Sequence, residues 1–288
     1  MLKTLIKALG LAVGGLAALK LAVVYFEPKL AFHPARGLSL TPSDLGLDFR
    51  EHLIDTSDGE TVVAWHVPHP QPRAQVVYFH GNAGNLSTWV EFLQSFHSQG
   101  YSVTALDYRG YGDSTGSPSE PGLYRDVEAF LKRYREEIYQ DGPPVIFWGR
   151  SLGGPVAAYA ASLHEPHGLV LEVTFPNKDS LIEDNWLFRI LGPLARFEFD
   201  TVGHLSGRTC PVLVIHGDQD FVVPLKQGQR LFEALRPPKQ FYLVEGAQHN
   251  DTQVVDPLYW QQVEGFISGL SAASEVSPLR QESQGQGR

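Results

Sequence analysis

The sequence predicts an α/β fold with a mainly parallel sheet and helices on both faces. Three observations carry that expectation. Short apolar, β-rich runs alternate with longer helix-patterned stretches through the middle of the chain. Two of the apolar runs, Val145–Trp148 and Gln75–Phe79, end in glycine-rich turns, Gly149-Arg-Ser-Leu-Gly153 and Gly81-Asn-Ala-Gly84. With 288 residues and 43% hydrophobic content, the chain can bury one full core.

The elements are expected in this order. Phe49–Asp55 and Glu60–Val67 flank Thr56-Ser-Asp-Gly59, and Asp-Gly between two strand-like runs signals a hairpin. There follow a strand at 75–80, a helix at 86–98, a strand at 102–107 and a helix at 121–138. A strand at 144–149, a helix at 152–163 and a strand at 168–174 come next, and after a longer insertion, strands at 212–217 and 241–244.

Gly149-Arg-Ser151-Leu-Gly153 fits the G-x-S-x-G nucleophile elbow, with the strand before it and the helix formers after it that the motif requires. A serine on so sharp a turn needs neighbours without Cβ atoms, so that sheet and helix can approach. A nucleophilic serine needs a base, and the base an orienting carboxylate. Val212–Gly217 runs into a polar turn carrying Asp220, and Phe241–Val244 leads to His249. Ser151, Asp220 and His249 then fall in the chain order of α/β-hydrolases. Asp218 is the competing acid, and its other reading is a turn former at the strand end. The oxyanion hole is expected from the backbone N–H groups of Leu152, after the nucleophile, and Asn82, in the loop after the early strand.

His80–Asn85, Asp107–Ser114, Gly149–Gly154 and His216–Pro224, together with His249, resemble the membrane-anchored α/β-hydrolase-domain family with a serine-aminopeptidase-like core. The resemblance spans most of residues 50–270. It implies an α/β-hydrolase fold with a short cap insertion, a Ser151–His249–Asp220 triad, and cleavage of carboxylic esters or thioesters through an acyl-enzyme. An amidase or peptidase would use the same parts, and a non-catalytic binding protein could keep the fold. Asp107 and Arg109 are expected to organise a turn.

Composition narrows the partners. The net charge is −9, and −12 from residue 31 onward, which speaks against nucleic acid. Cys210 is the only cysteine, so neither an intramolecular disulfide nor a cysteine zinc site can form. His66-x-x-His69 and His164-x-x-His167 lack a metalloprotease pattern, and no metal or cofactor is expected. The expected substrate is a small-molecule or lipid-like acyl compound; the sequence gives no oligomeric state.

Residues 1–28 read as a membrane anchor. Ala8–Phe26 holds one charge, Lys20, and is long enough to span a hydrocarbon core. A cleaved signal peptide is the alternative, but no A-x-A site is evident. Lys3 and Lys7 favour a cytoplasmic N-terminus and a catalytic domain on the periplasmic or lumenal side. Residues 29–48 are expected to connect, 49–270 to form the hydrolase domain and 271–288 a disordered tail. On that division, the anchor is dispensable for folding. The insertion at 175–210, with Trp186, Phe188, Phe197 and Phe199, reads either as a cap over the site or as helices packed on the core.

Overall fold

The computed structural model describes residues 2–183, 191–236 and 238–271. Ten strands lie among them: β1 (His33–Pro34), β2 (Arg50–Asp55), β3 (Thr61–Val67), β4 (Ala74–Phe79), β5 (Ala83–Gly84), β6 (Tyr101–Asp107), β7 (Val145–Arg150), β8 (Gly168–Glu172), β9 (Val212–Gly217) and β10 (Lys239–Val244). Eight form one sheet in the order β10-β9-β8-β7-β4-β6-β3-β2. β3 runs against its neighbours β2 and β6, and the other pairs are parallel. The expected strands appear with ends shifted by a residue or two.

The sheet is buried on both faces at its centre, which explains the unbroken apolar runs of β4 and β7. Successive side chains of β4 serve opposite layers. Val77 and Phe79 pack with Phe130 of helix α3 (Glu120–Arg133) and Val156 of helix α4 (Gly153–Leu163). Val76 and Tyr78 pack with Phe92 and Phe96 of helix α2 (Val90–Ser98) and with Phe266 of the helix Tyr259–Ser271. Two expected helices are shorter than their sequence patterns. Leu86–Trp89 is a turn before α2, and α3 gives way to a π-helical turn, Tyr134–Ile138.

β4 is the pivot of the topology. The chain leaves it for β6 on one side and returns to β7 on the other. Ligands of open α/β sheets gather outside the carboxyl ends of strands at such a reversal. Phe79 and Gly149 pair across β4 and β7, so the loop of Asn82 and the turn of Ser151 start at the same level.

The N-terminal helix α1 (Leu2–Ala31) is longer than the expected anchor and runs three residues past position 28, through Pro28. Its stretch Leu9–Ala31 is long and apolar enough to cross a membrane. The segment after it is docked rather than a free connector. His33 and Pro34 pair with Ala83 and Gly84, and the Arg36 guanidinium donates to the Ser114 and Gly116 carbonyls. Residues 184–190 of the expected cap, Trp186 and Phe188 among them, and the expected tail beyond Ser271 lie outside the described residues.

Candidate active site

The turn after β7 holds Ser151 at φ 52°, in the left-handed region that a non-glycine residue seldom adopts. Backbone and side-chain bonds fix it there. The Ser151 N–H donates to the Glu172 carbonyl (2.9 Å), and the Ser151 carbonyl accepts from the Gly154 N–H (2.9 Å) and from Thr174 Oγ1 (2.7 Å). The flanking glycines are steric requirements. A Cβ on Gly153 would stand 1.9 Å from the Phe79 carbonyl oxygen, and one on Gly149 would stand 2.2 Å from that of Gly153.

His249 Nε2 lies 3.1 Å from Ser151 Oγ, and its Nδ1 lies 2.7 Å from Asp220 Oδ2. The other Asp220 oxygen accepts from the Val222 and Val223 N–H groups at 2.9 and 2.8 Å, so the carboxylate is fixed at both ends. Asp218 points elsewhere: its Oδ1 accepts from the Gly246 N–H (2.7 Å), tying the turn after β9 to the loop after β10. The Gln219 N–H donates to the Ala247 carbonyl (3.0 Å) and adds to that tie. Together these bonds bring Asp220 under His249.

Asn82 and Leu152 line the space beside Ser151. Among the described residues, neither of their N–H groups donates to another protein group. The Asn82 loop is held through its carbonyls. Tyr111 Oη donates to the Asn82 carbonyl (2.8 Å) and Tyr108 Oη to that of His80 (3.0 Å). Asp107 Oδ1 accepts from the Leu86 N–H, and Arg109 makes a two-pronged pair with Asp58 and a further bond to Asp126. Both residues thus build turns at a distance from Ser151 Oγ.

Several groups that matter here had no motif to reveal them. Arg150 is fully buried, pairs with Glu172 (Nη1 to Oε1, 2.8 Å) and donates through Nη2 to the His249 carbonyl. Glu172 also accepts from Trp148 Nε1, Thr252 Oγ1 and Tyr259 Oη. Burial alone would raise the Glu172 carboxyl, but the Arg150 charge and these three donors outweigh it and hold it below the usual carboxylate value. For Arg150, burial opposes the charge and Glu172 more than restores it. The pair forms a charged brace behind Ser151 that reaches the backbone of His249. The one hint in the sequence is an arginine at the variable position of the elbow.

The histidine pairs are engaged in structure. His66 Nδ1 is 2.9 Å from Thr104 Oγ1, and His69 Nδ1 accepts from the Gln71 N–H. His167 Nδ1 accepts from the Val145 N–H, and an Arg135 Nη1 lies 3.0 Å from His164 Nε2. Burial pushes His66 down to about 4, with His52 and Arg50 adding to the shift. It pushes the Cys210 thiol up to about 12. Among the described residues no three His, Cys, Asp or Glu side chains converge as a metal site needs.

A largely apolar cavity of about 520 Å³ lies over Ser151. This is an ordinary size for a small-molecule site. Phe175, Leu181, Phe197 and Phe199 of the insertion line it, so this segment faces the site as well as packing on the core. A further wall is α1, with Leu19, Val23, Phe26 and Leu30. Glu27 is buried beside it, its carboxylate accepting from the Arg196 and Phe197 N–H groups at 2.8–3.0 Å. Glu27 is the only acid in the first 43 residues, and a lone acid closing an apolar run is a signal that it has a buried partner.

This fold is that of a hydrolase class. The family model for the alpha/beta hydrolase fold matches residues 75–201. The human alpha/beta hydrolase domain-containing protein 17B is 30% identical, over 75% of this chain and 74% of its own. An uncharacterised membrane protein of Saccharomyces cerevisiae is 29% identical, over 88% of this chain and 94% of its own. Among solved structures, an esterase of Pyrococcus furiosus superposes with a TM-score of 0.67 at 20% identity, covering 83% of this chain and 97% of its own. The chain belongs to the α/β-hydrolase-fold family, and membership supports a hydrolase.

Proposed function

We propose that the protein is a membrane-anchored serine hydrolase that cleaves carboxylic esters or thioesters. One observation carries the reading: His249 stands between Ser151 Oγ and the Asp220 carboxylate, within hydrogen-bond reach of both. In this mechanism Ser151 Oγ attacks the acyl carbon while its proton passes to His249 Nε2. Asp220 holds the imidazole with Nδ1 protonated and steadies the imidazolium. The Asn82 and Leu152 N–H groups receive the developing oxyanion, each such donor contributing about 3 kcal/mol. Collapse expels the alcohol or thiol, which takes the proton from His249. Water then attacks the acyl-enzyme and gives a proton to His249. The carboxylic acid leaves, and that proton returns to Ser151. These steps need no cofactor.

The site is apolar around a small polar centre, which suits an acyl group. The span Leu9–Ala31 supports anchoring, and Lys3 and Lys7 before it favour a domain on the periplasmic or lumenal side. A fluorophosphonate probe tests the chemistry. Wild type is expected to be labelled and Ser151→Ala to remain unlabelled; equal labelling of both, or of neither, refutes the assignment. Protease protection in sealed membranes tests sidedness, and digestion from the cytoplasmic face would reverse it.

A further inference from the structure

An anchor that only tethers has no reason to present one face to an active site. In α1, Leu19, Val23, Phe26 and Leu30 follow the spacing i, i+4, i+7, i+11 and form one stripe, and that stripe lines the cavity over Ser151. The helix is keyed in place at its lower end. Glu27 clips it to residues 196 and 197, and Phe32 packs edge-on against Phe197 and Phe199. Asn82 Nδ2 donates to the Ala31 carbonyl (3.2 Å), so the loop expected to hold the oxyanion is bonded directly to the end of α1.

Two further observations set the level of the membrane. Tyr25 and Lys29 are exposed, with Lys29 Nζ 4.5 Å from the Tyr25 ring centre and hydrogen-bonded to its hydroxyl. Amphipathic aromatic and lysine side chains of this kind belong at the lipid–water boundary. Leu19 lies six residues toward the N-terminus, about 9 Å deeper at 1.5 Å per residue. The cavity therefore extends from Ser151 along α1 to the depth of the acyl tails. At its rim, Phe221 and Val222 are 82% and 66% exposed, though apolar and adjacent to Asp220. Val222 also lines the cavity, so an apolar lip stands beside the opening.

We propose that α1 is a wall of the substrate site, along which the acyl chain of a bilayer-resident ester or thioester passes from the membrane to Ser151. The chain lies between the Leu19–Leu30 stripe and Phe197 and Phe199, and the Phe221–Val222 lip rests on the lipid surface. This rests on the hydrolase reading only for the reaction at Ser151; the binding of the acyl chain stands apart from it.

The test uses full-length protein in phosphatidylcholine vesicles, with p-nitrophenyl acetate and p-nitrophenyl laurate as probes. Ala22→Trp narrows the lined side of α1, because Ala22 is itself a wall residue. Leu21→Trp adds the same ring on the opposite face, about 200° round from Leu19 at 100° per residue. The laurate-to-acetate rate ratio is expected to fall about tenfold or more in Ala22→Trp, since a chain kept from an apolar pocket loses the burial of its methylenes. Leu21→Trp is expected to keep the wild-type ratio. In parallel, a diazirine-bearing fatty acid is photo-cross-linked to Ser151→Ala protein and the sites are mapped by mass spectrometry. Cross-links at Val23, Phe26 or Leu30 together with Phe197 or Phe199 support the wall. Cross-links spread evenly round α1 and absent from Phe197 and Phe199 overturn it, as do equal ratios in the two tryptophan variants. If wild type hydrolyses neither ester yet gives the face-selective cross-links, the hydrolase reading fails and the acyl-binding wall stands.

Discussion

Ser151 lies between two regions built by different means. The floor is the carboxyl edge of the sheet, where the turns after β4, β7 and β9 and the loop after β10 meet. Short-range turn geometry, glycine contacts and a buried ion pair hold it. The roof is α1 with the described residues of the 175–199 segment, and among its polar ties are carboxylates reaching across the chain to backbone N–H groups. Glu27 holds residues 196 and 197, and Glu120 holds the N–H groups of Glu198 and Phe199 at 2.7 and 2.6 Å. The floor holds Ser151, His249 and Asp220 within hydrogen-bond reach of one another. The roof shapes an apolar space that tolerates small displacements. A defect in the floor should therefore cost chemistry or the fold, whereas a defect in the roof should cost local order and acyl-chain selection.

The largest effect is expected from the acid. Asp220→Asn removes the partner that selects the His249 tautomer, and kcat should fall about 10⁴-fold, as in other triads. The native circular dichroism spectrum should be kept, because the Val222 and Val223 N–H groups share one oxygen of Asp220 and the Asn oxygen can still accept both. Steady-state rates on a short soluble ester check this. A loss of less than about tenfold would mean that the floor does not act through the Ser151–His249–Asp220 row.

Next comes the brace behind Ser151. Arg150→Met strands the Glu172 carboxylate in a buried site, which costs about 3–5 kcal/mol. In wild type the folded Glu172 sits below its ordinary value of 4.5. Its contribution to stability is therefore complete above that pH and is lost as the pH falls through the folded value. In Arg150→Met burial acts without the opposing charge, the folded value should rise, and the added cost should be largest near neutral pH and shrink on acidification. Urea denaturation at about pH 7 and about pH 4 reads this out. Arg150→Met/Glu172→Gln should recover most of the loss at neutral pH. A penalty independent of pH would show that Arg150 contributes by packing alone.

The same contrast explains what the sequence could reveal. The floor was legible because its parts are local: Gly149, Ser151 and Gly153 constrain one another within five residues, and Asp220 and His249 each follow a recognisable apolar strand. The central strands were legible because burial on both faces demands continuous apolar runs. The roof was legible only in part: the 175–210 insertion reads as a cap or as core packing, but its union with α1 joins residues far apart in sequence, as between Glu27 and Phe197. Nothing in a 3.6-residue period says which face of an apolar helix meets protein and which meets lipid. The two-residue pairing of His33–Pro34 with Ala83–Gly84 is too short to leave a period at all, so the docked segment read as a connector. Arg150 left only a faint signal for another reason: its motif position accepts any residue, and its partner Glu172 belongs to a separate strand.

In the roof, Glu27→Ala should be milder and local. It removes the bonds to the Arg196 and Phe197 N–H groups together with their charge, and unlike Arg150→Met it strands no buried charge. Hydrogen exchange should quicken at those two amides and leave the amides of β7 and β8 unaltered. The global unfolding midpoint should move far less than in Arg150→Met. If exchange quickens equally through the sheet, roof and floor form one cooperative unit and the contrast fails.

The smallest effect is expected two residues from the largest. Asp218 is in the same turn as Asp220, and sequence alone makes each a candidate acid. Its bond to the Gly246 N–H at 2.7 Å pins the turn after β9 to the loop that leads to His249. Asn at this position keeps an acceptor oxygen for that N–H and gives up only the charge on an exposed turn. Asp218→Asn should then change stability by no more than about 0.5 kcal/mol, the usual range for a surface substitution, and kcat on the same ester by less than about threefold. Paired with Asp220→Asn, it separates holding the loop from orienting the imidazole. If Asp218→Asn cripples turnover while Asp220→Asn is mild, the acid is misassigned. Should both cripple it equally, the position of the His249 loop matters as much as the charge beneath its ring.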